Sequence, residues 1–361
     1  MLFVAESRRL RIAMVSYYLP SGSKTGVGYQ AHAIANELVD RGHHVDMFTP
    51  CDPVEGARYG HRQIPLTGSL RTFRFALELR KLDLGQYDVL HAHGDDYWLW
   101  RRRVPVHVRT MHGSCFEEAL HIRGAKERLR MVALGFSEVL ATLVADRTAL
   151  VSPRTRRWMP WVRTVIPNGV DTAHFAASGT KSARPTVLFV GTWTGRKRGA
   201  QLAEAFVRDV LPVVPDAELR MVTRDAPATL PAGVVALGRL DDDELVAEYG
   251  RAWAFCLPSS YEGFGIPYAE AMAAGLPVVA TPNIGARYVT DEGRAGVLAS
   301  LAHVGTAVAA VLRDDRMRAR LGAAGLERSR AFDLARVVDA YERMYRVGVK
   351  PDAGLEPSRR G

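Results

Sequence analysis

The sequence predicts an α/β protein built from two parallel-sheet domains that face each other across a deep cleft. With 361 residues, the chain is long enough for two domains that each have a hydrophobic core. Short apolar runs typical of buried strands alternate with helical patterns, and this alternation starts twice, near residues 11 and 186. A stretch rich in Gly, Ala and Ser separates the two series, as expected of a link between domains.

The first series indicates a parallel α/β unit. The apolar run RIAMV is followed by a glycine-rich loop, the helical pattern YQAHAIANELVDRG and a second strand-like run, HHVDMFTP. Further strands are predicted at YDVLHAHG, VHVRTMHG, TALVS and RTVIPNG. We assign residues 1–172 to this N-terminal domain and residues 173–185 to an interdomain linker.

The second series begins at PTVLFVGT and continues through LRMVT, VVALG, AWAFCLPS and PVVATP. It predicts a C-terminal domain over residues 186–330, followed by a helix over 331–348 and a disordered tail over 349–361. In open α/β sheets, ligands bind beyond the carboxyl ends of the strands. We therefore expect the functional residues to lie at those ends, in the cleft.

Charge and cysteine content narrow the class of protein. The net charge is +9, and residues 1–170 alone contain 24 basic and 16 acidic side chains, so the basic excess lies in the first half. This half either carries arginine as ordinary surface decoration or faces an anionic acceptor or a membrane surface. Three widely spaced cysteines without a C-x-x-C pair indicate a reducing compartment and no zinc cluster. We expect no nucleic-acid partner.

The sequence predicts a cytoplasmic protein. No apolar run reaches the roughly 18–20 residues that span a bilayer. The first 20 residues have neither the charged start nor the small-residue cleavage site of a secretion signal. The segment ALHIRGAKERLRMVALG could form a basic amphipathic helix for peripheral contact with the inner membrane face, although an ordinary surface helix is the simpler interpretation.

Residues 262–275, EGFGIPYAEAMAAG, place two carboxylates around a Gly-Pro turn. Pro267 suits the first turn of a helix, and Gly275 suits the position just after its end. We therefore predict Glu262 in a loop before this helix and Glu270 in its first turn. Because a carboxylate would be repelled by phosphates, both glutamates are expected to accept hydrogen bonds from sugar hydroxyls, such as the diol of a ribose.

Two further features of the second half predict binding of an anion. In the glutamate loop, residues 262–265, the backbone N–H groups of Gly263, Phe264 and Gly265 are free to point at a ligand. In FVGTWTGRKRGAQL, Arg196 and Lys197 follow a strand and open a helix, an arrangement that suits a diphosphate, although a solvated basic turn is the alternative. Ribose, diphosphate and a second hydroxylated group together describe a sugar nucleotide.

Six segments of the chain resemble, in order, those of retaining glycosyltransferases of the family 4 type. They are GVGYQAHAIANELVDRGHHV, VIPNGVDTAHF, FVGTWTGRKRG, LDDDELVAEYGRAWAFCLPS, SSYEGFGIPYAEAMAAGLPVVAT and FDLARVVDAYERMYRV. The resemblance implies the GT-B architecture, two Rossmann-like domains, with the final helix returning to the N-terminal domain. It departs from the family at TPNIGARYV, where many members have a Gly-Gly turn.

The resemblance also implies the roles of individual residues. The catalytic residues that it implies are His112, Arg196, Lys197 and Glu262. The donor-binding residues that it implies are Gly26, Gly28, Gly191, Leu240, Gly263, Phe264, Gly265 and Glu270. In this assignment Glu270 holds the ribose, Glu262 holds the transferred sugar, and Gly26 and Gly28 let a loop approach the donor phosphates.

The activity implied is transfer of a hexosyl-type sugar, with retention, from a nucleotide-diphosphate sugar to an acceptor hydroxyl. UDP-sugars are the default donors, since nothing in the sequence indicates a guanine pocket, and no cofactor or metal is obligatory. The acceptor could be a lipid-linked or phosphorylated sugar or a small metabolite. A sugar-nucleotide 2-epimerase of the same architecture and a non-catalytic nucleotide-sugar-binding partner stay open as alternatives.

Two acidic or histidine-containing segments also suggest metal binding. Asp241, Asp242 and Asp243 look like a metal-binding D-x-D, but they directly precede a helical pattern, where an N-cap with acids in the first turn explains them better. His91 and His93 leave a predicted strand with the spacing expected of strand residues, and no second cluster of ligands is evident. We therefore predict no metal site.

Overall fold

The computed structural model describes residues 8–22, 26–68, 70–99, 104–122, 124–176 and 179–346. Within these residues the chain forms two parallel sheets with helices packed on their faces, which confirms the predicted α/β class. The predicted disordered tail, residues 349–361, lies outside the described residues. In the described part of the chain, none of the helices combines the length and the apolar character that crossing a membrane requires.

The first sheet has seven parallel strands in the order β3-β2-β1-β4-β5-β6-β7. Their bounds are β1 Arg11–Val15, β2 His44–Thr49, β3 Gly60–Gln63, β4 Val89–Ala92, β5 Val106–Met111, β6 Arg147–Leu150 and β7 Thr164–Val165. The central strands β4 and β5 are buried along their whole length, which explains why they read as apolar runs.

The second sheet has six parallel strands in the order β10-β9-β8-β11-β12-β13. Their bounds are β8 Thr186–Val190, β9 Glu218–Val222, β10 Val234–Ala236, β11 Ala254–Leu257, β12 Val278–Ala280 and β13 Val297–Leu298. The strands that sequence analysis did not predict, β3 and β13, both lie at sheet edges. Strand β3 has the polar, mostly exposed sequence GHRQ, and β13 has only two residues. Neither strand therefore shows the alternating apolar pattern by which strands are predicted.

Helices cover both sheets. Those of the first half are α1 Gly26–Asp40, α2 Arg71–Leu79, α3 Cys115–His121 and α4 Ala125–Val144. Those that follow are α5 Thr172–Ala176, α6 Gly199–Ala205, α7 Asp242–Arg251, α8 Ile266–Ala273, α9 Ile284–Val289, α10 Val304–Arg313, α11 Asp315–Ser329 and α12 Leu334–Arg346. The segment predicted as one basic amphipathic helix is divided between α3 and α4.

The last helix, α12, packs on the N-terminal sheet. Val337, Val338 and Tyr341 of α12 are buried in the same core as Ile34 and Leu38 of α1. The chain reaches α12 beside its earlier crossing, because the N–H of Val170 donates to Phe332 O (2.8 Å) and the N–H of Leu334 donates to Val170 O (2.9 Å). The two crossings between the sheets therefore run side by side.

The segment predicted as a linker begins with a helix rather than an extended link. Helix α5 packs on α7 and α8 of the second half. The ring of Phe175 is buried, with its centroid 5.3 Å from that of Tyr249. Beyond α5, Lys181 donates to Ala252 O and the N–H of Ser182 donates to Arg251 O, at 2.9 Å each.

Candidate active site

The glutamate loop and helix α8 have the predicted arrangement with one correction. Helix α8 starts at Ile266, with Gly265 before it in a left-handed conformation (φ 89°) that favours glycine. A Cβ on Gly265 would also overlap the ring of Tyr268. Because the helix starts at Ile266, Glu270 lies in its second turn and not, as predicted, in its first. Stabilisation by the N-terminal dipole of α8 therefore does not explain why an acidic residue occupies position 270.

Glu262 is a buried carboxylate that is paired with a cation. Lys197 Nζ lies 2.6 Å from its Oε1, the Ser259 hydroxyl donates to the same oxygen at 2.7 Å, and Arg196 Nη1 is 3.7 Å from its Oε2. Burial opposes the charge on Glu262, but Lys197 and Arg196 outweigh it and hold its pKa below the usual value. Glu262 is therefore ionised, and its predicted partner, a sugar, would have to share it with Lys197.

The two cations differ in their surroundings. They lie in a 3-10 turn, Gly195–Lys197, and not at the opening of a helix as predicted, because α6 begins only at Gly199. The Lys197 side chain is 16% exposed, whereas that of Arg196 is 53% exposed. Arg196 donates one hydrogen bond, to Tyr261 O at 3.1 Å. Its guanidinium therefore keeps donor capacity for a ligand.

Asp225, which sequence analysis missed, holds the loop that leads into this turn. Its carboxylate accepts hydrogen bonds from the N–H of Trp193 (2.7 Å) and of Thr194 (3.1 Å), and from the Thr194 hydroxyl (2.9 Å). Although burial opposes its charge, these donors lower the pKa of Asp225 to about 2. Asp225 follows β9, so it shares the carboxyl edge of the sheet with the β8 loop, a juxtaposition that only the strand order reveals.

Glu270 has a different environment from Glu262. Its Oε2 accepts a hydrogen bond from the Tyr249 hydroxyl at 2.8 Å. Burial raises the pKa of Glu270 to about 7, because the Tyr249 hydrogen bond and the more distant Lys197 compensate only in part. The carboxyl group of Glu270 thus changes charge near neutral pH, whereas that of Glu262 does not. Tyr249 is a second residue that sequence analysis missed.

His112 approaches this cluster from the N-terminal half. It follows β5, as predicted, and a Cβ on Gly263 would overlap its carbonyl oxygen. Next to it, a Cβ on Gly113 would lie 2.7 Å from the hydroxyl of Tyr261. The two halves of the chain therefore touch at glycines, which place His112 beside the glutamate loop.

The His112 side chain is bonded to a second histidine. Its Nε2 lies 2.9 Å from Nδ1 of His93, with the rings stacked at 5.2 Å between centroids. Burial and the nearby Arg109 together lower the pKa of His112 to about 4, although a hydrogen bond with Asn168 opposes this shift. Burial also lowers the pKa of His93 well below the usual value. Both imidazoles are therefore neutral at physiological pH.

The glycines of the donor-binding prediction occupy positions without room for a side chain. Gly26 and Gly28 were predicted in the loop before α1, but they lie in the first turn of that helix. A Cβ on Gly28 would be 2.9 Å from the Cα of Leu19, while one on Gly26 would be 3.0 Å from Ile266 Cδ1 of the opposite half. A Cβ on Gly191 would be 3.1 Å from that of Lys197. Gly26 and Gly191 thus border the cluster, and Gly28 serves packing.

The remaining predicted donor contacts involve the backbone. Phe264 is buried, with its ring 5.2 Å from that of Phe332, so its side chain belongs to the core. Within the described residues, the N–H groups of Gly263, Phe264 and Gly265 donate to no protein group. Leu240 is half-buried in the loop between β10 and α7. These amides therefore have no acceptor among the described residues, and their role toward a ligand stays a prediction.

The two segments that resembled metal sites have structural partners. Asp241 caps α7: it accepts from the N–H of Glu244 (2.8 Å), while Glu244 accepts from the N–H of Asp241 (3.0 Å), which confirms the predicted N-cap. His91 contacts the hydroxyls of Thr110 and Tyr345. Among the residues that the structure describes, no three His, Cys, Asp or Glu side chains form a metal-binding group.

Comparison with known proteins identifies relatives over nearly the whole chain. The family described as Glycosyltransferase Family 4 matches residues 24–174, and that described as Glycosyl transferases group 1 matches residues 184–314. A phosphatidyl-myo-inositol mannosyltransferase of Mycolicibacterium smegmatis is 30% identical over 385 residues, covering 94% of this chain and 96% of that protein.

Solved structures share the fold at lower identity. The sucrose-phosphate synthase of Thermosynechococcus elongatus superposes with a TM-score of 0.78 at 21% identity, covering 94% of this chain and 99% of that one. Anabaena HepE in complex with UDP-glucose has a TM-score of 0.73 at 17% identity, covering 93% and 99%. Both similarities extend across the two sheets.

Proposed function

The chain belongs to glycosyltransferase family 4 and has the GT-B fold, and from this premise we propose that it transfers a hexosyl group, with retention, from a nucleoside-diphosphate sugar to a lipid-linked acceptor. The main support is the cluster of Lys197, Arg196 and Glu262, which faces His112 where the two sheets meet. The cluster joins cations for a leaving diphosphate to a carboxylate and amides for a sugar.

The cations account for departure of the diphosphate. Lys197 is neutralised by Glu262, whereas Arg196 is half-exposed with spare donors. A bound diphosphate would compete with Glu262 for Lys197 and would free the carboxylate to accept sugar hydroxyls. Preorganised cations act where negative charge develops as the bond to the sugar breaks.

Retention follows from attack on the face that the diphosphate leaves. The bond between the anomeric carbon and the phosphate oxygen breaks with its electron pair on the phosphate, and the acceptor oxygen bonds to the same face of the carbon. The acceptor proton passes to the departing phosphate oxygen. In this proposal Glu262, which the Ser259 hydroxyl orients, accepts sugar hydroxyls and does not attack the anomeric carbon.

Product analysis tests the stereochemistry. We expect NMR of the purified product to show the anomeric configuration of the donor. The opposite anomer would contradict the mechanism and would indicate that a protein base deprotonates the acceptor. Activity should also survive EDTA, because protein cations stabilise the leaving group; a complete, metal-reversible loss would contradict that part of the proposal.

Donor identity is tested with a panel of UDP- and GDP-sugars. UDP-sugars remain the default, and a protein of the same fold binds UDP-glucose. The mannosyltransferase relatives make mannose donors the necessary second set. Nucleotide released only with acceptor supports transfer, whereas an epimerised donor without acceptor would support the epimerase alternative. If the protein releases no nucleotide from any of these donors and binds none of them, the proposal is overturned.

The proposal of a lipid-linked acceptor is supported by the name of the relatives and by an exposed apolar surface on α4. The relatives' name specifies a phosphatidyl-inositol acceptor, which is a membrane lipid. Helix α4 has a stripe of exposed apolar side chains at helical spacing, the α4 stripe: Leu129 (71% exposed), Phe136 (65%), Leu140 (39%) and Leu143 (67%). Helix α4 packs on α3 where Gly135 meets Phe116, and the ring of Phe136 also contacts that of Phe116 edge to face, at 5.3 Å between centroids.

Charge complementarity selects an anionic bilayer as the partner of the α4 stripe. Exposed cations flank its N-terminal end on both sides: Lys126, Arg128 and Arg130, of which Arg130 is paired with Glu127 at 2.5 Å. An apolar stripe with flanking Lys and Arg is typical of helices that lie in a membrane interface. The basic excess of residues 1–170 has the same sign.

Vesicle co-sedimentation tests this contact. We expect salt-sensitive binding to phosphatidylcholine vesicles that contain phosphatidylinositol, and about tenfold weaker binding after Leu129→Gln with Phe136→Gln. Leu326→Gln, at an exposed leucine of the other half, is the matched control and should bind normally. Vesicle binding without salt sensitivity, or no binding, would contradict the proposal. A dimer abolished by the double substitution would assign the stripe to a second copy.

A further inference from the structure

We propose that Tyr29 of α1 completes the nucleoside site from the N-terminal side of the cleft: its ring covers the nucleoside of the donor, and its hydroxyl bonds to the ribose. The inference rests on the proposed function, in which Glu270 holds that ribose. Sequence analysis assigned only Gly26 and Gly28 of this segment to the donor, neither of which has a side chain.

Tyr29 lies close to the point where α1 meets the start of α8. Gly26, in the first turn of α1, approaches the other half so closely that a Cβ on it would be 3.0 Å from Ile266 Cδ1. Tyr29 follows Gly26 by three residues and Glu270 follows Ile266 by four, and residues at these spacings share one face of a helix. Tyr29 and Glu270 are therefore each about one turn from the same contact between the two halves.

The charges around the Tyr29 hydroxyl show which side of the cleft it faces. Burial raises the pKa of this hydroxyl. Asp242 and Glu270 raise the pKa further, while Arg224 lowers it. All three charged residues belong to the C-terminal half, since Arg224 lies just after β9, Asp242 begins α7 and Glu270 lies in α8. The Tyr29 hydroxyl therefore faces the side of the cleft that carries the ribose carboxylate.

The same face of α1 also approaches the C-terminal half at His32, one turn after Tyr29. Burial and Arg58 lower the pKa of His32, whereas Asp242 raises it. Two successive turns of α1 are thus within electrostatic reach of Asp242. The approach of Tyr29 to the C-terminal half is therefore a property of the helix face and not of one side chain.

The Tyr29 side chain is free to bind a ligand. It is 41% exposed, whereas the other tyrosines of the described residues are buried or half-buried. Among the residues that the structure describes, none forms a hydrogen bond with the Tyr29 hydroxyl. An exposed ring with a free hydroxyl suits a nucleoside, because the ring can cover it while the hydroxyl donates to an oxygen of the ribose.

The residue next to Tyr29 holds this part of α1 in place. Gln30 is 3% exposed, and its side chain binds Gly169 twice: Nε2 donates to Gly169 O, and the N–H of Gly169 donates to Oε1, at 2.7 Å each. Gly169 directly precedes Val170 in the crossing between the two sheets. The backbone at Tyr29 is thus fixed to that crossing, so binding a nucleoside needs to order only the side chain.

Two substitutions of Tyr29 separate the hydroxyl from the ring. With whichever of UDP and GDP the wild type binds more tightly, Tyr29→Phe should weaken binding about threefold, the scale of one neutral hydrogen bond. Tyr29→Ala should weaken it roughly tenfold to thirtyfold, because the ring is lost as well. Calorimetric titration measures both, and wild-type affinity in Tyr29→Ala would overturn the inference.

A matched control and a stability measurement accompany these titrations. Leu77→Ala removes another exposed side chain (44%) from a helix of the same half and should bind the nucleotide as the wild type does. Alanine favours a helix more than tyrosine does, so a defect in α1 does not explain a loss of affinity in Tyr29→Ala. Thermal unfolding identifies any loss of folded protein. Equal weakening by Leu77→Ala and Tyr29→Ala would count against a specific contact.

Deoxynucleotides test whether the hydroxyl bonds to the ribose. The 2′-deoxy and 3′-deoxy forms of the same nucleotide each lack one ribose hydroxyl. With at least one of them, Tyr29→Phe should bind as tightly as the wild type, because the group that the Tyr29 hydroxyl contacts is absent. A threefold loss that persists with both deoxy forms, or no loss with the ribonucleotide, would overturn the ribose contact.

Transfer assays distinguish a failure of this inference from a failure of the proposed function. Nucleotide binding that depends on Tyr29, in a protein that transfers no sugar, would contradict the proposed function alone. Sugar transfer by a protein whose affinity for the nucleotide does not depend on Tyr29 would contradict the inference alone. A wild type that binds neither UDP nor GDP would overturn both.

Discussion

The two sides of the cleft hold their functional groups by opposite means. On the C-terminal side, Lys197, Arg196 and Glu262 are charged and compensate one another at 2.6 and 3.7 Å. On the N-terminal side, burial keeps His112 and His93 neutral, and a hydrogen bond joins the two rings. A compensated group of charges thus lies on one side and a neutral imidazole pair on the other.

This difference suits the proposed chemistry. A departing diphosphate gains negative charge, which fixed cations stabilise. The sugar gains positive charge, and an imidazolium beside it would be repelled. A pKa of about 4 keeps His112 uncharged, so it can donate a hydrogen bond without opposing the transition state.

The largest effect is expected when the charged side is broken at Lys197. Lys197→Met should lower kcat/KM by roughly 10²–10³-fold, the scale of losing a preorganised charge stabiliser. Arg196→Ala should cost less, about tenfold, because Arg196 is half-exposed and lies farther from Glu262. Steady-state kinetics with the preferred donor measure both. Equal, near-wild-type activity in the two variants would contradict the diphosphate assignment.

Stability separates this catalytic loss from a folding defect. Lys197→Met leaves Glu262 buried without its main partner, which should cost about 3 kcal/mol of unfolding free energy. Adding Glu262→Gln should restore most of that stability but not activity. Urea unfolding of the single and double variants gives the comparison, and recovery of activity together with stability would count against a direct role for Lys197.

The contact between the two sides is the next point to break. Gly263→Ala should lower kcat roughly tenfold to a hundredfold, because its Cβ would overlap the His112 carbonyl and push the two sides apart. Gly179→Ala, where a Cβ meets nothing within 4 Å, is the matched control. Kinetics in which both alanine variants behave alike would refute the close approach.

Glu270 sharpens the comparison because its charge changes near neutral pH. Glu270→Gln should weaken nucleoside diphosphate binding about tenfold at pH 8, since an ionised carboxylate accepts both hydroxyls of a diol. With a pKa of about 7, the wild type should bind more tightly as pH rises from 6 to 8. Calorimetric titrations of the glutamine variant provide the control for phosphate ionisation. If the affinity for nucleoside diphosphate changes equally with pH in the wild type and in Glu270→Gln, Glu270 is not the group whose ionisation controls binding.

The smallest effect is expected at Asp225. Asp225→Asn should raise the donor KM a few-fold and cost about 1 kcal/mol of stability, because an exposed carboxylate loses charge-assisted bonds to the loop before Arg196. Its pKa is lowered from 3.8 to about 2, so its contribution is present above pH 4 and is lost as pH falls toward 2. A variant with wild-type acid stability would contradict this role.

The two sides also differ in how well sequence predicts them. The C-terminal side consists of short contiguous segments, so Glu262, Glu270 and the Arg196–Lys197 pair could be identified together. The precise pairing could not, because the distance from Lys197 to Glu262 depends on two loops of different strands. Glu270 was assigned to the first turn and not the second because α8 starts at Ile266, one residue before Pro267.

On the N-terminal side, His112 was the one side chain predicted as functional, beside the backbone positions Gly26 and Gly28. His93 was considered merely as a metal ligand, since its partner lies 19 residues away on a neighbouring strand. Tyr345, which braces the pair through His91, is 254 residues from that histidine and comes from a helix of the last segment. Neutral networks of this kind have no local pattern, because they depend on strand order and helix packing.

Calorimetric titration of nucleoside diphosphate tests the division between the two sides most directly. Lys197→Met should weaken binding at least tenfold, whereas His112→Asn and His93→Leu should bind within about twofold of the wild type. Glu262→Gln should bind at least as tightly as the wild type, because it releases Lys197 for the phosphates. Weakening by the histidine variants equal to that by Lys197→Met would contradict the account.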